Sequence, residues 1–310
     1  MTGTAIVQYL LDHYQDVHIR ASFFRTQPTI VSDRVTHIKA DLRCLDEIRA
    51  MASGCDCAIM SAAYAGGAAY TSSSPFEHMR ENLIMNRQML EAFATEGVSR
   101  IVFIGSAVIY QAFNGHITEA ELDFNKDPHP SYYGYSWAMR FLEKMCQYLH
   151  EQYHMEVVMV RAANIFGPRD KFDPVRSNFI PAIIRKAADR MDPFEAWGSP
   201  DVTRDVIYCE DFAEAVVRLA DAHPIRFDVF NVGSEVRTTV GQVVDWALKY
   251  TGHQPSEIRW VQDKPTTIQY RALDCAKIRK AIDWQPAHTI EEGLAKTAQW
   301  WMAHREEWTR

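Results

Sequence analysis

Residues 100–106, RIVFIGS, decide the fold of this chain. Four consecutive apolar residues lie between a charged residue and a glycine, which is typical of a strand buried on both faces of a parallel sheet. Similar segments predict strands at residues 17–24, 35–40, 55–62 and 157–162. Amphipathic segments between them predict helices at residues 5–13, 45–52, 75–95 and 133–153. This alternation predicts an α/β fold with a doubly wound parallel sheet.

The pattern changes after residue 162. The segment NIFGPRDKFDPVRSN, residues 164–178, is rich in Gly, Pro, Asn and Asp and predicts a structured loop. Later helices are predicted at residues 179–189, 210–222, 240–251, 275–281 and 290–304, and later strands at residues 194–197, 205–208, 228–232, 258–261 and 270–273. We expect a large domain of residues 1–163 and 204–233 and a smaller α/β lobe of residues 164–203 and 234–310.

Composition narrows the class of protein. The 310 residues are 47% apolar and 24% charged, as in an ordinary soluble globule. The net charge of −7 and the lack of a basic tract argue against nucleic acid as a partner. No apolar run reaches the roughly 18 residues that span a bilayer, so we expect a cytoplasmic protein with no membrane association.

The cysteines predict neither disulfides nor a metal site. Six of them are scattered along the chain, which predicts reduced thiols. Cys55 and Cys57 are the nearest pair, but their side chains would point to opposite faces of a strand. We therefore expect no bound metal.

The first residues differ from the usual start of a doubly wound nucleotide fold. Such a fold opens with a strand and a Gly-rich turn, whereas here Thr2-Gly3-Thr4 leads directly into a predicted helix. Gly3 is the one glycine of that turn that remains. We expect either that translation starts inside the motif or that about ten further residues belong upstream.

Several blocks carry a resemblance to a known family: GSAVIY (105–110), YYGYSW (132–137), RAANIFGPRDKF (161–172) and AWGSPDVTRDVIYCEDFAEAV (196–216). Together they resemble the extended short-chain dehydrogenase/reductase family of nucleotide-sugar epimerases, dehydratases and reductases, and within it the GDP-L-fucose synthases. The resemblance implies a Rossmann-like dinucleotide-binding domain with a smaller substrate-binding lobe.

The resemblance also implies the reacting groups. Ser106 and Tyr133 match the serine and tyrosine that bind the reacting sugar oxygen, the tyrosine also facing the nicotinamide. The lysine four residues later, whose charge would favour the phenolate, is replaced by Trp137. Arg140 is one possible substitute, although two helical turns separate it from Tyr133. Tyr133 and Trp137 can equally be read as an ordinary aromatic pair.

Epimerisation is disfavoured. Val108 and Asn178 match the cysteine and histidine that exchange protons in the GDP-L-fucose synthases, and neither valine nor asparagine titrates near neutral pH. Reduction of a C4 keto group needs only hydride, Ser106 and Tyr133.

The binding residues are implied by the same resemblance. Those expected to bind the nucleotide sugar are Ser106, Asn164, Arg169, Asn178, Lys186, Trp197 and Arg204, with Arg204 on the diphosphate. Those expected to bind the dinucleotide are Gly3, Arg25, Asp41, Leu42, Ala62, Ala63 and Tyr133. Arg25 favours NADP, with NAD as the alternative. Two simpler readings stay open: Arg204 could form a surface ion pair with Asp205 or Asp211, and Trp197 could be a core residue.

Two hypotheses follow. The first is an NADP(H)-dependent reductase of a GDP-linked 4-keto-6-deoxy sugar. The second is a catalytically impaired homologue that binds a nucleotide sugar or a partner subunit. A homodimer through the helices at residues 75–95 and 133–153 is expected by the resemblance, although these helices could also pack within a monomer.

Overall fold

The helices follow the prediction closely. The computed structural model describes residues 1–261 and 271–308. Each predicted helix is present within a few residues of its expected ends, and a short extra helix, α3, precedes α4. The bounds are α1 Thr2–His13, α2 Leu45–Ala52, α3 Ala68–Ser73, α4 Pro75–Thr95, α5 Tyr133–Tyr153, α6 Phe179–Ala188, α7 Cys209–Asp221, α8 Val240–Thr251, α9 Ala276–Ile282 and α10 Ile290–Trp308.

The predicted strands are also present, together with shorter ones that have too few residues for a recognisable period. Residue 270 of one predicted strand lies outside the described residues. The bounds are β1 Ile19–Phe23, β2 Val35–Lys39, β3 Cys57–Met60, β4 Arg100–Ser106, β5 Gly115–Ile117, β6 Glu156–Ala162, β7 Asn164–Phe166, β8 Phe194–Trp197, β9 Thr203–Arg204, β10 Val206–Tyr208, β11 Phe227–Val232, β12 Thr238–Thr239, β13 Ile258–Val261 and β14 Arg271–Leu273.

The central sheet is parallel and has the order β11-β6-β4-β3. Its middle strand β4 is almost fully buried, as an apolar strand covered by helices on both faces should be. Ser106, the last residue of β4, pairs in register with Ala162 at the end of β6. The sheet therefore delivers Ser106 to its carboxyl edge, where ligands bind in open α/β sheets.

A second parallel pair, β1-β2, is separate from this sheet. Among the described residues β1 pairs with β2 alone and β3 pairs with β4 alone. A cleft of about 2840 Å³ lies between β1 and β3, and both strands contribute to its walls. The strands on the two sides of the cleft are thus not joined by backbone hydrogen bonds.

Two apolar clusters form the interior. The larger surrounds the central sheet and includes residues of α4, α5 and α7. The smaller is built from α6, α8 and α10 and the short strands β8 and β10. A large domain and a smaller lobe are consistent with these clusters, while the exact domain boundaries stay a prediction.

The described residues were also compared with the expectations about membrane helices, disulfides and metal ligands. No helix in residues 1–261 and 271–308 is long and apolar enough to cross a membrane. All six cysteines carry free thiols. Within the same two ranges no three His, Cys, Asp or Glu side chains are grouped as metal ligands.

Candidate functional site

The large cleft brings together the residues predicted to bind a dinucleotide, Tyr133 excepted. They come from the start of α1, from the segments that follow β1 and β2, and from the segment after β3. The cleft-lining members of the predicted set are Gly3, Arg25, Asp41, Leu42, Ala62 and Ala63.

The first turn of α1 opens into this cleft. Thr2 and Gly3 line it, and no side chain caps the helix N-terminus. A Cβ atom on Gly3 would lie 3.1 Å from the hydroxyl of Ser61, so the backbone of α1 closely approaches the segment after β3. Free N–H groups at a helix N-terminus favour an anion such as a pyrophosphate.

The segments after β1 and β2 supply charged groups to the cleft. Arg43 forms an ion pair with Asp41 at 2.7 Å, and their hydrogen bond lowers the pKa of the Asp41 carboxyl. Arg43 also pairs with Glu81 at 3.0 Å. The exposed Arg25 guanidinium lies 5.4 Å from the ring centre of Phe24, and no described carboxylate pairs with it within 4.0 Å. Arg25 therefore offers a positive charge to this end of the cleft.

The loop that precedes α6 forms another wall of the cleft. Lys171 donates a 2.7 Å hydrogen bond from Nζ to the carbonyl of Ala65, and burial lowers the pKa of this ammonium. The predicted substrate residue Arg169 lies beside it and lines the cleft. A Cβ on Gly67 would lie 2.0 Å from the Ser177 carbonyl, so only glycine allows this contact between the segment after β3 and the loop.

One carboxylate oxygen in this wall has no hydrogen-bond partner among the described residues. Asp170 is 5% exposed, and its Oδ2 atom is buried without a hydrogen bond to a described residue. Its Oδ1 accepts a 2.7 Å hydrogen bond from the backbone of Lys171. Burial raises the pKa of Asp170 to about 6, although this hydrogen bond acts in the opposite direction.

A second, smaller cavity of about 100 Å³ lies at the carboxyl edge of the central sheet. Ser106 lines it from the end of β4, and Asn164 and Arg204 line it from β7 and β9. These three residues were predicted to bind the substrate. Tyr132, from the 3₁₀ turn Pro130–Tyr132 that precedes α5, also lines this cavity.

The predicted catalytic tyrosine has a different position. Tyr133 is 53% exposed and lies outside both cavities. Tyr135 is half-buried, with its ring centre 4.4 Å from that of His78 on α4, and burial raises its pKa to about 12. The small cavity therefore includes Tyr132, which was not among the predicted site residues, together with the predicted serine. The sequence signal that could have found it was the tandem Tyr132-Tyr133 itself.

Asp205 follows Arg204, is buried, and accepts hydrogen bonds from several residues around the small cavity. Its Oδ1 accepts hydrogen bonds from the backbone and hydroxyl of Ser234, at 3.0 and 3.2 Å, and its Oδ2 accepts one from the backbone of Leu273 at 3.0 Å. Its carbonyl accepts a 3.0 Å bond from the side-chain amide of Asn164. Burial raises the pKa of Asp205 to about 6, against these hydrogen bonds.

The polar groups of Trp137 and Arg140 form hydrogen bonds within the protein, outside the two cavities. The indole N–H of Trp137 donates to Asp127 Oδ1 at 3.1 Å. Arg140 is 1% exposed and donates to the carbonyls of Ile109 and Lys126, each at 2.7 Å. Its guanidinium also lies 4.6 Å from the ring centre of Trp137. Neither residue lines the two cavities.

The other predicted substrate residues are not brought to either cavity. Lys186 donates to the carbonyl of Glu195 at 2.8 Å, and its ammonium lies 5.4 Å from the ring centre of Trp197. Trp197 is 44% exposed, so it is not a core residue. Asn178 is the exposed N-cap residue of α6. Their predicted roles would require a substrate that extends beyond the small cavity.

The fold, a parallel sheet with helices between its strands, is of the Rossmann-like α/β class. The family model described as the NAD-dependent epimerase/dehydratase family matches residues 1–233, more than half of the chain. The chain therefore belongs to the NAD-dependent epimerase/dehydratase family.

Its curated relatives include several sugar-nucleotide enzymes. A GDP-L-fucose synthase of Sinorhizobium fredii is 29% identical over 243 residues, 77% of this chain and 76% of the relative. A dTDP-4-dehydro-6-deoxy-D-allose reductase of a Streptomyces species is 26% identical over 277 residues, 88% of this chain and 83% of the relative.

Solved structures share the fold. A UDP-glucose 4-epimerase of Thermotoga maritima has a TM-score of 0.83 at 18% identity, covering 98% of this chain and 96% of that one. A GDP-6-OMe-4-keto-L-xylo-heptose reductase of C. jejuni has a TM-score of 0.84 at 17% identity, covering 98% and 95%. These matches confirm the predicted Rossmann-like α/β fold.

Proposed function

We propose that this protein is a nucleotide-sugar oxidoreductase that reduces the C4 keto group of a GDP-linked 4-keto-6-deoxy sugar with NADP(H). The observation that carries the proposal is the small cavity at the carboxyl edge of the sheet, which is lined by Ser106, Tyr132 and Arg204. The names of two similar proteins, a GDP-L-fucose synthase and a GDP-keto-heptose reductase, support the GDP-linked substrate.

The residues of the large cleft fit a dinucleotide in charge and position. The uncapped N-terminus of α1, with Gly3 and the Ala62-Ala63 turn, would hold the pyrophosphate. Asp41 and Leu42 would contact the adenine, and Arg25 would accept the 2′-phosphate of NADP; NAD remains the alternative. When bound, the reduced dinucleotide supplies the hydride.

The small cavity would receive the reacting end of the sugar. Its volume of about 100 Å³ is below the roughly 300–1,000 Å³ of small-molecule sites, so it accommodates the keto group and not the whole nucleotide. The Ser106 hydroxyl would polarise the carbonyl oxygen, and Tyr133, at the start of α5, would give that oxygen a proton. Arg204 would bind the diphosphate where the sugar nucleotide leaves this cavity, since a guanidinium is well suited to phosphate oxygens.

Epimerisation is not part of the proposal. Val108 lines the small cavity but has no ionisable group, and Asn178 is exposed at the start of α6. Neither can remove a proton from a sugar carbon at neutral pH.

Binding and turnover test this function directly. Calorimetry with NADPH, NADH and GDP-mannose, followed by turnover of GDP-4-keto-6-deoxymannose with either reduced dinucleotide, should show tighter binding of NADPH and formation of a reduced sugar. UDP-glucose is the control ligand for the nucleotide. Absence of reduction by the folded protein would contradict the proposal.

The second candidate is a catalytically impaired homologue that binds a nucleotide sugar or a partner subunit. Trp137 at the expected lysine position favours it, because each lost catalytic group costs orders of magnitude in rate. Binding of GDP-mannose without binding of either dinucleotide would support this candidate instead.

We also propose a homodimer through α4 and α5, in the cytoplasm. Two aromatic side chains on the outer face of α5, Phe141 and Tyr148, are 56% and 55% exposed, and Phe76 on α4 is 65% exposed. Sedimentation of the intact protein would test this: a monomer at micromolar concentration would contradict the dimer.

A further inference from the structure

One buried face of α5 is bonded to the turn that follows β4. Ser136 and Arg140 are both buried and lie four residues apart, so they are neighbours on the helix surface. The Ser136 hydroxyl donates to the carbonyl of Val108 at 2.8 Å. Arg140 Nε donates to the carbonyl of the next residue, Ile109, at 2.7 Å. Both acceptors belong to the 3₁₀ turn Ala107–Ile109, so successive turns of α5 bond to successive residues of it.

A third polar group on this face continues the series. Glu143, three residues after Arg140, accepts hydrogen bonds of 3.0 and 2.8 Å from the buried Arg161. Arg161 also donates from Nη1 to the hydroxyl of Tyr110 at 2.9 Å. Three levels of α5 are thus bonded to three consecutive residues after β4, the last of them through Arg161. These bonds oppose both rotation and sliding of the helix against the turn.

The same turn holds the hydroxyl of Ser106. The backbone N–H of Val108 donates to Ser106 Oγ at 3.4 Å, while the Val108 carbonyl accepts the bond from Ser136. A single residue therefore links the hydroxyl at the end of β4 to α5. Because Ser106 Oγ accepts the bond from Val108, its own hydrogen can point to a substrate oxygen.

Tyr133 begins the same helix. It lies three residues before Ser136, a spacing that puts neighbouring side chains on one side of a helix. A shift or rotation of α5 against the turn therefore changes the position of Tyr133 relative to Ser106. In the proposed reaction both hydroxyls act on one carbonyl oxygen, and a misplacement of about 1 Å can lower a rate by about 100-fold.

Arg140 is buried although its hydrogen bonds to described residues go only to carbonyls. Nε and Nη1 donate to Ile109 and Lys126, and Nη2 has no hydrogen-bond partner among the described residues. Burying a cation without a carboxylate partner is unfavourable, and burial accordingly lowers the pKa of this guanidinium. The rigid plane of the guanidinium joins the turn after β4 to the segment before α5. The benefit of Arg140 is therefore geometric.

We propose that Ser136 and Arg140 are positioning residues of the reductase. They fix α5 against the turn after β4 and so set the separation of the Ser106 and Tyr133 hydroxyls. This inference rests on the proposed function. Neither Ser136 nor Arg140 lines the small cavity or the large cleft, so both act through the backbone of the turn and through the helix.

Kinetics of Arg140 variants test the proposal. Arg140→Met, which removes the donors and keeps an unbranched side chain, should lower kcat about tenfold with KM within about twofold of wild type. Arg140→Lys should restore part of kcat, because an ammonium still donates to carbonyls but lacks the rigid plane. A wild-type kcat in Arg140→Met, or a loss confined to KM, would overturn the positioning role.

Ser136→Ala tests the same role if Arg140→Met does not fold, because it removes one hydroxyl and little volume. It should lower kcat about threefold, with KM within about twofold of wild type. The matched control is Thr251→Val in α8, which removes a buried hydroxyl that donates to the carbonyl of Ala247 at 2.7 Å, outside both cavities. The control should retain wild-type kcat. Equal losses of kcat in the two variants would attribute the effect to destabilisation and overturn the proposal.

The pH profile separates position from charge. If Arg140 positions α5, Arg140→Met lowers kcat equally at every pH and leaves the pKa that governs the profile unchanged. A profile moved to higher pH would mean that the Arg140 charge itself favours the Tyr133 phenolate, and would overturn the positioning role.

Hydrogen exchange reports on the contacts without turnover. Amides in residues 106–110 and 133–137 should exchange faster in Ser136→Ala and Arg140→Met, while those of α8 keep their wild-type rates. Unchanged exchange in both segments would show that these bonds do not hold the turn, and would overturn the inference.

The failures can be told apart. A wild-type protein that produces no reduced sugar overturns the proposed function and with it the positioning role, even if exchange shows that the bonds hold the turn. A wild-type protein that reduces the sugar, while Ser136→Ala and Arg140→Met do so equally well, overturns the positioning role alone.

Discussion

The two candidate binding regions differ in how they are built. The small cavity, about 100 Å³, is formed at the ends of strands that pair in register, β4 with β6 and β7 with β10. The large cleft, about 2840 Å³, lies between two sheets that do not pair with each other among the described residues, and loops supply much of its charge. Backbone pairing therefore orders the reacting end more tightly than the dinucleotide end.

The small cavity and the large cleft should differ in how far their residues are already in place before a ligand binds. Catalytic groups held by paired strands retain their geometry, whereas loop residues must be ordered when a ligand binds, and this ordering costs affinity. The cleft volume also exceeds the roughly 300–1,000 Å³ of ordinary ligand sites. We therefore expect substitutions in the small cavity to act on turnover and those in the large cleft to act on binding.

The largest effect is expected at Ser106. Ser106→Ala should lower kcat by about 100- to 1,000-fold, the usual loss for one hydrogen-bond donor to a developing oxyanion. Steady-state kinetics with the GDP-4-keto sugar would measure it. Ser99→Ala, just before β4 at the opposite edge of the sheet, is the matched control and should retain wild-type kcat. Equal effects of the two variants would show that the strand end is not the reacting site.

The two buried carboxylates have similarly raised pKa values but different hydrogen bonds, so their asparagine variants should differ in stability. For Asp170, the folded-state pKa of about 6 is above the ordinary 3.8, so the native state holds the proton more strongly than the unfolded state. The free energy of unfolding should fall by up to about 3 kcal/mol as the pH rises from about 4 to 7. Asp170→Asn should remove this loss and stabilise the protein at pH 8.

Asp205→Asn should stabilise the protein less than Asp170→Asn at pH 8, although both carboxylates have a pKa raised to about 6. Both Asp205 oxygens accept hydrogen bonds, so an amide group would place N–H against the backbone N–H of Leu273 or Ser234. This conflict should offset the gain by about 1–3 kcal/mol. Urea unfolding of both variants at pH 8 and pH 5 measures the contrast, with the half-exposed Asp189→Asn as the control. Equal gains in the two variants would contradict this difference between the two carboxylates.

A smaller effect is expected at Arg25. Arg25→Glu should reduce the preference for NADPH over NADH by about tenfold, because a carboxylate repels the 2′-phosphate and suits free ribose hydroxyls. Calorimetry with both dinucleotides would show it. Arg20→Glu, on β1 beside the same cleft, is a control for net charge. An unchanged ratio would place the 2′-phosphate elsewhere.

The smallest effect is expected at Trp137. Trp137→Lys should raise kcat by about threefold, because an ammonium four residues after Tyr133 would favour its phenolate. The gain is small because the variant also loses the hydrogen bond from the indole to Asp127. No gain in kcat by the folded variant would contradict Tyr133 as the proton donor. Thermal unfolding provides the control for loss of the aromatic contact with Arg140.

Much of the fold was predictable from periodicity. The helices at residues 75–95 and 133–153 have the predicted bounds, because Pro75 starts the first and a 3₁₀ turn precedes the second. The two-residue strands β9 and β12 could not be predicted, since their pairing depends on segments far apart in sequence. Arg204 was predicted by its motif, but its place in one cavity with Tyr132 was not.

The amino-acid sequence by itself determined the order of strands and helices, the family, and the arrival of Ser106 at a sheet edge, because burial patterns and strand direction are local properties. Tertiary structure alone decided that Tyr132 lines the same cavity as Ser106. Successive residues near a helix start differ by about 100° in direction, so the turn before α5 places Tyr132 in the cavity wall and leaves Tyr133 exposed.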